Sequence, residues 1–137
     1  MGEIRVQVKL TNLQDETRLR HGELKPEAVR TYVADALVDT GAVRSVIPVQ
    51  VLERLGVGIR GSRVAEYADG RKEAVGVTEG LIFDLMGRDT IEEALVLGDE
   101  VLIGQTVLEK LDLLADCANR RLVVNPAHPD QPVTKVK

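Results

Sequence analysis

Ala36-Leu37-Val38-Asp39-Thr40-Gly41-Ala42 sets three apolar residues directly before a carboxylate, a hydroxyl and a glycine. The apolar run reads as a buried strand that the polar trio ends abruptly, so Asp39 falls where an apolar wall meets a tight turn. A carboxylate desolvated at such a junction is harder to ionise, and a second carboxylate close by splits the two pKa values apart. Gly41 lets the main chain turn sharply, or lets another main chain come close. Asp, Thr and Gly also form ordinary turns, and an aspartate can simply close an Asx-turn at a strand end. Alone the tripeptide is a weak motif, and its standing rests on the residues around it.

With 137 residues, the chain is long enough for one domain with a real core. We expect that domain over 1–125, with an extended, poorly packed tail over 126–137, where three of the five prolines fall. Aromatic residues make up only 2%, so the core must be built from Val, Leu, Ile and Ala, and the short valine runs favour strands. The net charge of −4 and pI near 5.2 argue against a dedicated nucleic-acid or anionic-membrane binder, because no basic stripe is present. No apolar run approaches membrane-spanning length. The single cysteine, Cys117, cannot form an internal disulfide, and a cytoplasmic protein is the default expectation.

Ile4, Val6, Val8 and Leu10 alternate with Arg5, Gln7 and Lys9, which predicts a strand with one buried face. Thr11 to Arg30 follows neither the strand nor the helix period, and reads as a long turn. Thr31 to Val38 predicts the strand that delivers Asp39. Val46-Ile47 is a short strand stopped by Pro48, which suits the first turn of a helix carrying Val51, Leu52 and Leu55 and capped by Gly56. Asp69-Gly70 between strand-like arms, Arg63 to Tyr67 and Lys72 to Val77, is a strong hairpin signal. The second arm is expected to run on through Gly80 into Leu81 to Leu85, followed by a turn over Met86 to Asp89 and a strand from Ile91 to Leu97. Val101 to Gly104 leads into a second short helix with Val107, Leu108 and Leu111. A last hairpin pairs Leu113 to Ala115 with Leu122 to Val124. The sum is an all-β, mainly antiparallel domain with one or two short helices.

Other strings fail on context. Gly56 to Gly61 matches G-x-G-x-x-G, but follows a helix and precedes a strand, the reverse of a dinucleotide site. His128-Pro129-Asp130 lies in the proline-rich tail, without the basic helices of a J-domain. His21, His128 and Cys117 lack metal-ligand spacing, so neither metal nor cofactor is expected. No nucleophile elbow is present.

Taken together, Ala36 to Ala42, the later Leu102-Ile103-Gly104, the helical segment Thr106 to Leu111 directly after it, and the hairpin at Asp69-Gly70 between them resemble the retropepsin-like aspartic proteases. The resemblance covers about Thr31 to Val124, and is nearest to small prokaryotic single-domain members. It implies an acid-protease β-barrel and an aspartic endopeptidase in which Asp39 is catalytic. Thr40, Gly41, Ala42, Ile103 and Gly104 would support the catalytic turn, and Tyr67, Ala68, Asp69 and Gly70 would form a flap over a peptide or protein substrate. One Asp-Thr-Gly turn per chain cannot supply both carboxylates of the family's dyad, so the resemblance also implies a homodimer. Retroviral members carry an acid two residues after the motif glycine and an arginine after the late one; here Val43 and Gln105 stand there. A non-catalytic binding or assembly module with the same fold stays open as the alternative.

Overall fold

The computed structural model describes residues 2–136. Among the described residues, eleven strands and three short α-helices follow one another. Strand β1 (Ile4–Asn12) pairs antiparallel with β2 (Thr31–Val38) in a register that sets Ile4 opposite Val38 and Thr11 opposite Thr31. The alternation in β1 comes out as predicted: Ile4, Val8 and Leu10 are buried and Val6 packs against them.

Between these strands lies α1 (Leu13–Arg20), which corrects the expectation of a long turn over Thr11 to Arg30 and brings the helices to three. Only Leu13 and Leu19 are apolar in it, so no stripe marked it. It is held by polar contacts instead. The Asn12 side chain caps it by accepting from the Asp15 amide at 3.0 Å, and donates to the Leu55 carbonyl at 2.8 Å. Buried Asp15 accepts from Arg30 Nε at 2.8 Å, Nη2 at 3.0 Å and the Arg30 amide at 3.0 Å, so a fork-shaped ion pair closes the excursion. A single 3₁₀ turn, Pro26–Ala28, precedes β2.

After the Asp39 turn come β3 (Val46–Ile47) and α2 (Val49–Leu55), which starts at Pro48, ends on Gly56 at φ 64°, and buries Val51, Leu52 and Leu55. Strands β4 (Ile59–Glu66) and β5 (Lys72–Thr78) form the predicted hairpin. The chain then breaks at Glu79-Gly80 instead of continuing, and β6 (Leu81–Leu85) joins a different part of the sheet, beside β1. Met86 and Gly87, both at positive φ, turn it into β7 (Arg88–Glu92). The expected strand over Ile91 to Leu97 is likewise split, with β8 (Leu95–Val96) as a separate piece beside β3. The break falls at Glu93-Ala94, where Glu93 pairs with Arg44 and the Ala94 amide donates to the buried Thr78 hydroxyl. Strand β9 (Leu102–Ile103) leads into α3 (Gln105–Leu111), and β10 (Leu113–Asp116) and β11 (Arg121–Val124) close as a small second sheet.

The large sheet runs β4-β5-β8-β3-β9-β2-β1-β6-β7. It curls into a half-barrel, with only β2–β9 and β3–β8 parallel among its pairings. Phe83, the single phenylalanine, is fully buried among aliphatic side chains from β1, β2, α2 and α3. Burying each such side chain is worth about 1.5–3 kcal/mol. Among the described residues the tail from Pro126 to Val136 has no helix or strand, but its first part is tied down: Asp112 accepts from Asn125 Nδ2, bonds His128 Nδ1 at 2.6 Å and accepts from the Val133 amide, and buried Arg88 donates to the His128 carbonyl at 2.7 Å.

Candidate active site

Strand β2 ends at Val38, and its parallel partner β9 decides what happens next. Leu37 lies opposite Leu102 and Val38 opposite Ile103, and the Asp39 amide donates to the Ile103 carbonyl at 2.9 Å. The chain then folds back on itself. The Ala42 amide donates to the Asp39 carbonyl at 3.1 Å, and the Asp39 Oδ1 atom accepts from the Gly41 amide at 3.0 Å. The Asx-turn expected of a plain turn residue is therefore present, and half-buried Asp39 keeps Oδ2 beyond it.

The late glycine element lies directly beneath. Fully buried Ile103 packs in the core, and the Gly104 amide donates to the buried Ser45 hydroxyl at 2.9 Å. A Cβ at Gly104 would meet the Arg44 and Ser45 main chain at 2.5–3.0 Å, so only glycine fits without a shift. The amides of Gln105 and Thr106 donate to the carbonyls of Ala42 and Val43 at 2.8 and 3.1 Å. Hence the segment from Asp39 to Ser45 is bonded from below by residues 103–106, and the exposed Thr40, Gly41 and Val43 form its outer lip.

Above this floor stands the β4–β5 hairpin. Its tip is tied by the Tyr67 amide to the Arg71 carbonyl at 2.8 Å and the Gly70 amide to the Tyr67 carbonyl at 2.9 Å, with Gly70 at φ 87°. Asp69 accepts from the Arg71 amide and side chain, and those bonds hold its carboxyl below the usual carboxylate range. The Tyr67 hydroxyl donates to Glu73 at 2.5 Å, which pushes the phenol up, and the Arg71 guanidinium lies 4.6 Å from the Tyr67 ring centre.

Floor and hairpin enclose a cleft of about 650 Å³. Of the residues singled out in the sequence, Asp39, Gly41, Ala42, Tyr67 and Ala68 line it. Ile103 and Gly104 lie under the floor, Thr40 sits on the lip, and Asp69 and Gly70 form the hairpin tip beyond the lining. The lining also includes Val43, Arg44, Val46, Arg63, Leu95 and Leu97, which no motif marked. Leu95 and Leu97 arrive through the parallel β3–β8 pairing, with their amides bonded to the Ser45 and Ile47 carbonyls. Among the described residues no group of three or more His, Cys, Asp or Glu is placed to hold a metal, and no helix is long and apolar enough to cross a membrane.

No family model and no curated protein sequence matches the chain. Solved structures do match it in shape. The retroviral protease-like domain of Ddi1 from Leishmania major superposes with a TM-score of 0.55 at 16% identity, covering 98% of this chain and 92% of that one. The EIAV protease complexed with the inhibitor HBY-793 gives 0.52 at 17% identity, covering 79% of this chain and 86% of its own. The fold is retropepsin-like, as the ordered pair of glycine-bearing elements implies.

Proposed function

We propose that this retropepsin-fold chain is an aspartic endopeptidase that works as a homodimer, with Asp39 of each copy forming one half of a catalytic dyad. The observation that carries the reading is the placement of Asp39: a half-buried carboxylate on the floor of an apolar cleft, in a turn bonded from beneath by Ile103, Gly104 and Gln105. One such turn per chain makes a two-fold axis through the site necessary.

In that arrangement two facing carboxylates share one proton, and the pair, not either member, has definable pKa values. The ionised carboxylate takes a proton from a water molecule as the water oxygen bonds to the scissile carbonyl carbon. The protonated one gives its proton to the carbonyl oxygen. The carboxyl that took the water proton then gives it to the amide nitrogen while a hydroxyl of the diol returns its proton to the other carboxylate, so the C–N bond breaks, acid and amine leave, and the dyad again holds one proton. Thr40, on the lip, reaches across the axis, and Gly41 meets the substrate main chain. The hairpin residues Tyr67 to Gly70 cover an extended peptide held by strand-like hydrogen bonds. The reaction needs no cofactor, and the substrate is a peptide or protein met in the cytoplasm.

A second reading, a binding or assembly module with this fold, is favoured by one detail. Gln105, which stands where retroviral members carry an arginine, is neutral and donates through Nε2 to Glu109 within α3 at 3.3 Å. Peptide-library cleavage from acidic to neutral pH, run beside Asp39→Asn and with sedimentation of both proteins, separates the two. Cleavage by the parent alone, from a dimer, is expected; equal cleavage by both proteins, or a monomer at every concentration, sinks the peptidase.

A further inference from the structure

The register of the β4–β5 hairpin sorts its side chains into two faces, because directly paired residues of an antiparallel ladder project to the same side. Arg63 is paired with Val75 and Ala65 with Glu73. Val75 is buried, Ala65 and Tyr67 are half-buried, and the Tyr67 hydroxyl reaches Glu73, so this face turns toward the body and the cleft. Val64 and Glu66 belong to the opposite face, with Ala74 and Lys72, and Val64 is 68% exposed. The hairpin cation on the body-facing side is therefore Arg63, while Val64 and Glu66, which also border the cleft, belong to the other face by register. Among the described residues no carboxylate pairs with Arg63.

A second arginine stands in the floor. Arg44 lines the cleft five positions after Asp39 and pairs through Nη2 with Glu93, which is 42% exposed in its side chain. Its Nε is buried and finds no acceptor among the described residues, so the present pairing leaves one donor of the guanidinium unmet. An incoming carboxylate that bonds Nη1 and Nη2 together makes two bonds where Glu93 makes one, and Glu93 can return to water. The neighbouring lining, Val43, Val46, Leu95 and Leu97, is apolar and strengthens any charge pairing made there.

We propose that the cleft selects peptides with an aspartate or glutamate close to the scissile bond, recognised by Arg63 from the hairpin and Arg44 from the floor; this rests on the peptidase reading and names its substrate class. In a symmetric dimer both arginines occur twice, so an acidic residue on either side of the bond meets the same pair.

The test uses the 137-residue chain carrying Asp39→Asn, which binds without turnover, and labelled peptides with a central apolar pair that differ only in Glu, Gln or Lys at each flanking position. At one or more positions Glu is expected to bind about tenfold tighter than Gln, the size of one charge-assisted hydrogen bond, with Lys weakest and the advantage shrinking as salt rises. Adding Arg63→Gln should bring the Glu and Gln peptides within about twofold. Since Arg44→Gln strands Glu93, the double change Arg44→Gln/Glu93→Gln is the companion variant, and it too should erase the preference. Equal binding of Glu and Gln at every position, preference for Lys, or no binding of any peptide overturns the proposal. Selective binding of the Glu peptides without cleavage by the parent would remove the peptidase and leave the acidic preference standing. Cleavage by the parent without that preference would do the reverse.

Discussion

Gly104 and Arg44 meet main chain to main chain: a Cβ on Gly104 would come 2.5 Å from the Arg44 carbonyl carbon and 2.6 Å from its oxygen. Main chain cannot swing aside as the tip of a side chain can, so Gly104→Ala must push the late strand away from the Asp39 turn. The expected cost is about 1–3 kcal/mol, the range of core overpacking, read as a lower urea midpoint at unchanged slope. A variant as stable as the parent would show that the two segments are not in contact.

Asp39→Asn should behave in the opposite way. The Asp39 Oδ1 bond to the Gly41 amide at 3.0 Å needs an acceptor, which the asparagine side chain still provides. Stability is expected to stay within about 0.5 kcal/mol while any Asp39-dependent cleavage disappears. Thermal melts of both proteins check it, and a collapse of the melt would mean that the charge itself holds the turn.

Asp15 supplies an acid-sensitive part of the stability. The Arg30 side-chain hydrogen bonds hold its carboxyl below the usual carboxylate range, more strongly than burial pushes it up. A folded-state value below the unfolded one contributes stability that is complete above the ordinary carboxylate pKa of about 3.9 and is lost as pH falls through the folded value. Asp112 and Glu93, held low chiefly by Asn125 and Arg44 respectively, add to the same slope. Urea midpoints between pH 6 and pH 3 should therefore fall less steeply in Asp15→Asn than in the parent, from a lower starting point. Parallel curves would remove Asp15 from the account.

Asp112 is the tether of the tail, with bonds to Asn125, His128 and the Val133 amide. Asp112→Ala should leave the sheet intact and expose the segment after Pro126 to proteases, with the Val133 amide exchanging as fast as free peptide. Unchanged exchange at Val133 would assign the tether to Arg88 and its bond to the His128 carbonyl.

Much of this was legible in the chain because local pattern and tertiary role agreed. The alternation from Ile4 to Leu10, the Asp69-Gly70 turn, and Gly56 after a short apolar stripe each became the element they implied. Helix α1 was not, because Leu13 to Arg20 lacks an apolar face. Its only local signs were Asn12 three residues before Asp15 and the acidic-to-basic gradient from Asp15 to Arg20. The partner that secures it, Arg30, lies beyond any local window. The division of Ile91 to Leu97 was hidden for the same reason, since Arg44 and Thr78 supply the contacts that break it. Asp39 in the cleft and Gly104 beneath its floor stood out by type and order, whereas Arg63 acquires its place only once the hairpin register says which way it faces.

The supports of the Asp39 turn come from the far end of the sequence, and this orders events during synthesis. Strands β1 and β2 and the β4–β5 hairpin can pair as soon as they leave the ribosome, yet Ile103, Gly104 and Gln105 follow much later. Contacts of such separation close slowly and late, because the intervening chain must first be ordered. A half-made copy thus carries Asp39 on a loop with no floor beneath it, and the moment at which the carboxylate becomes aligned is written into the order of the chain.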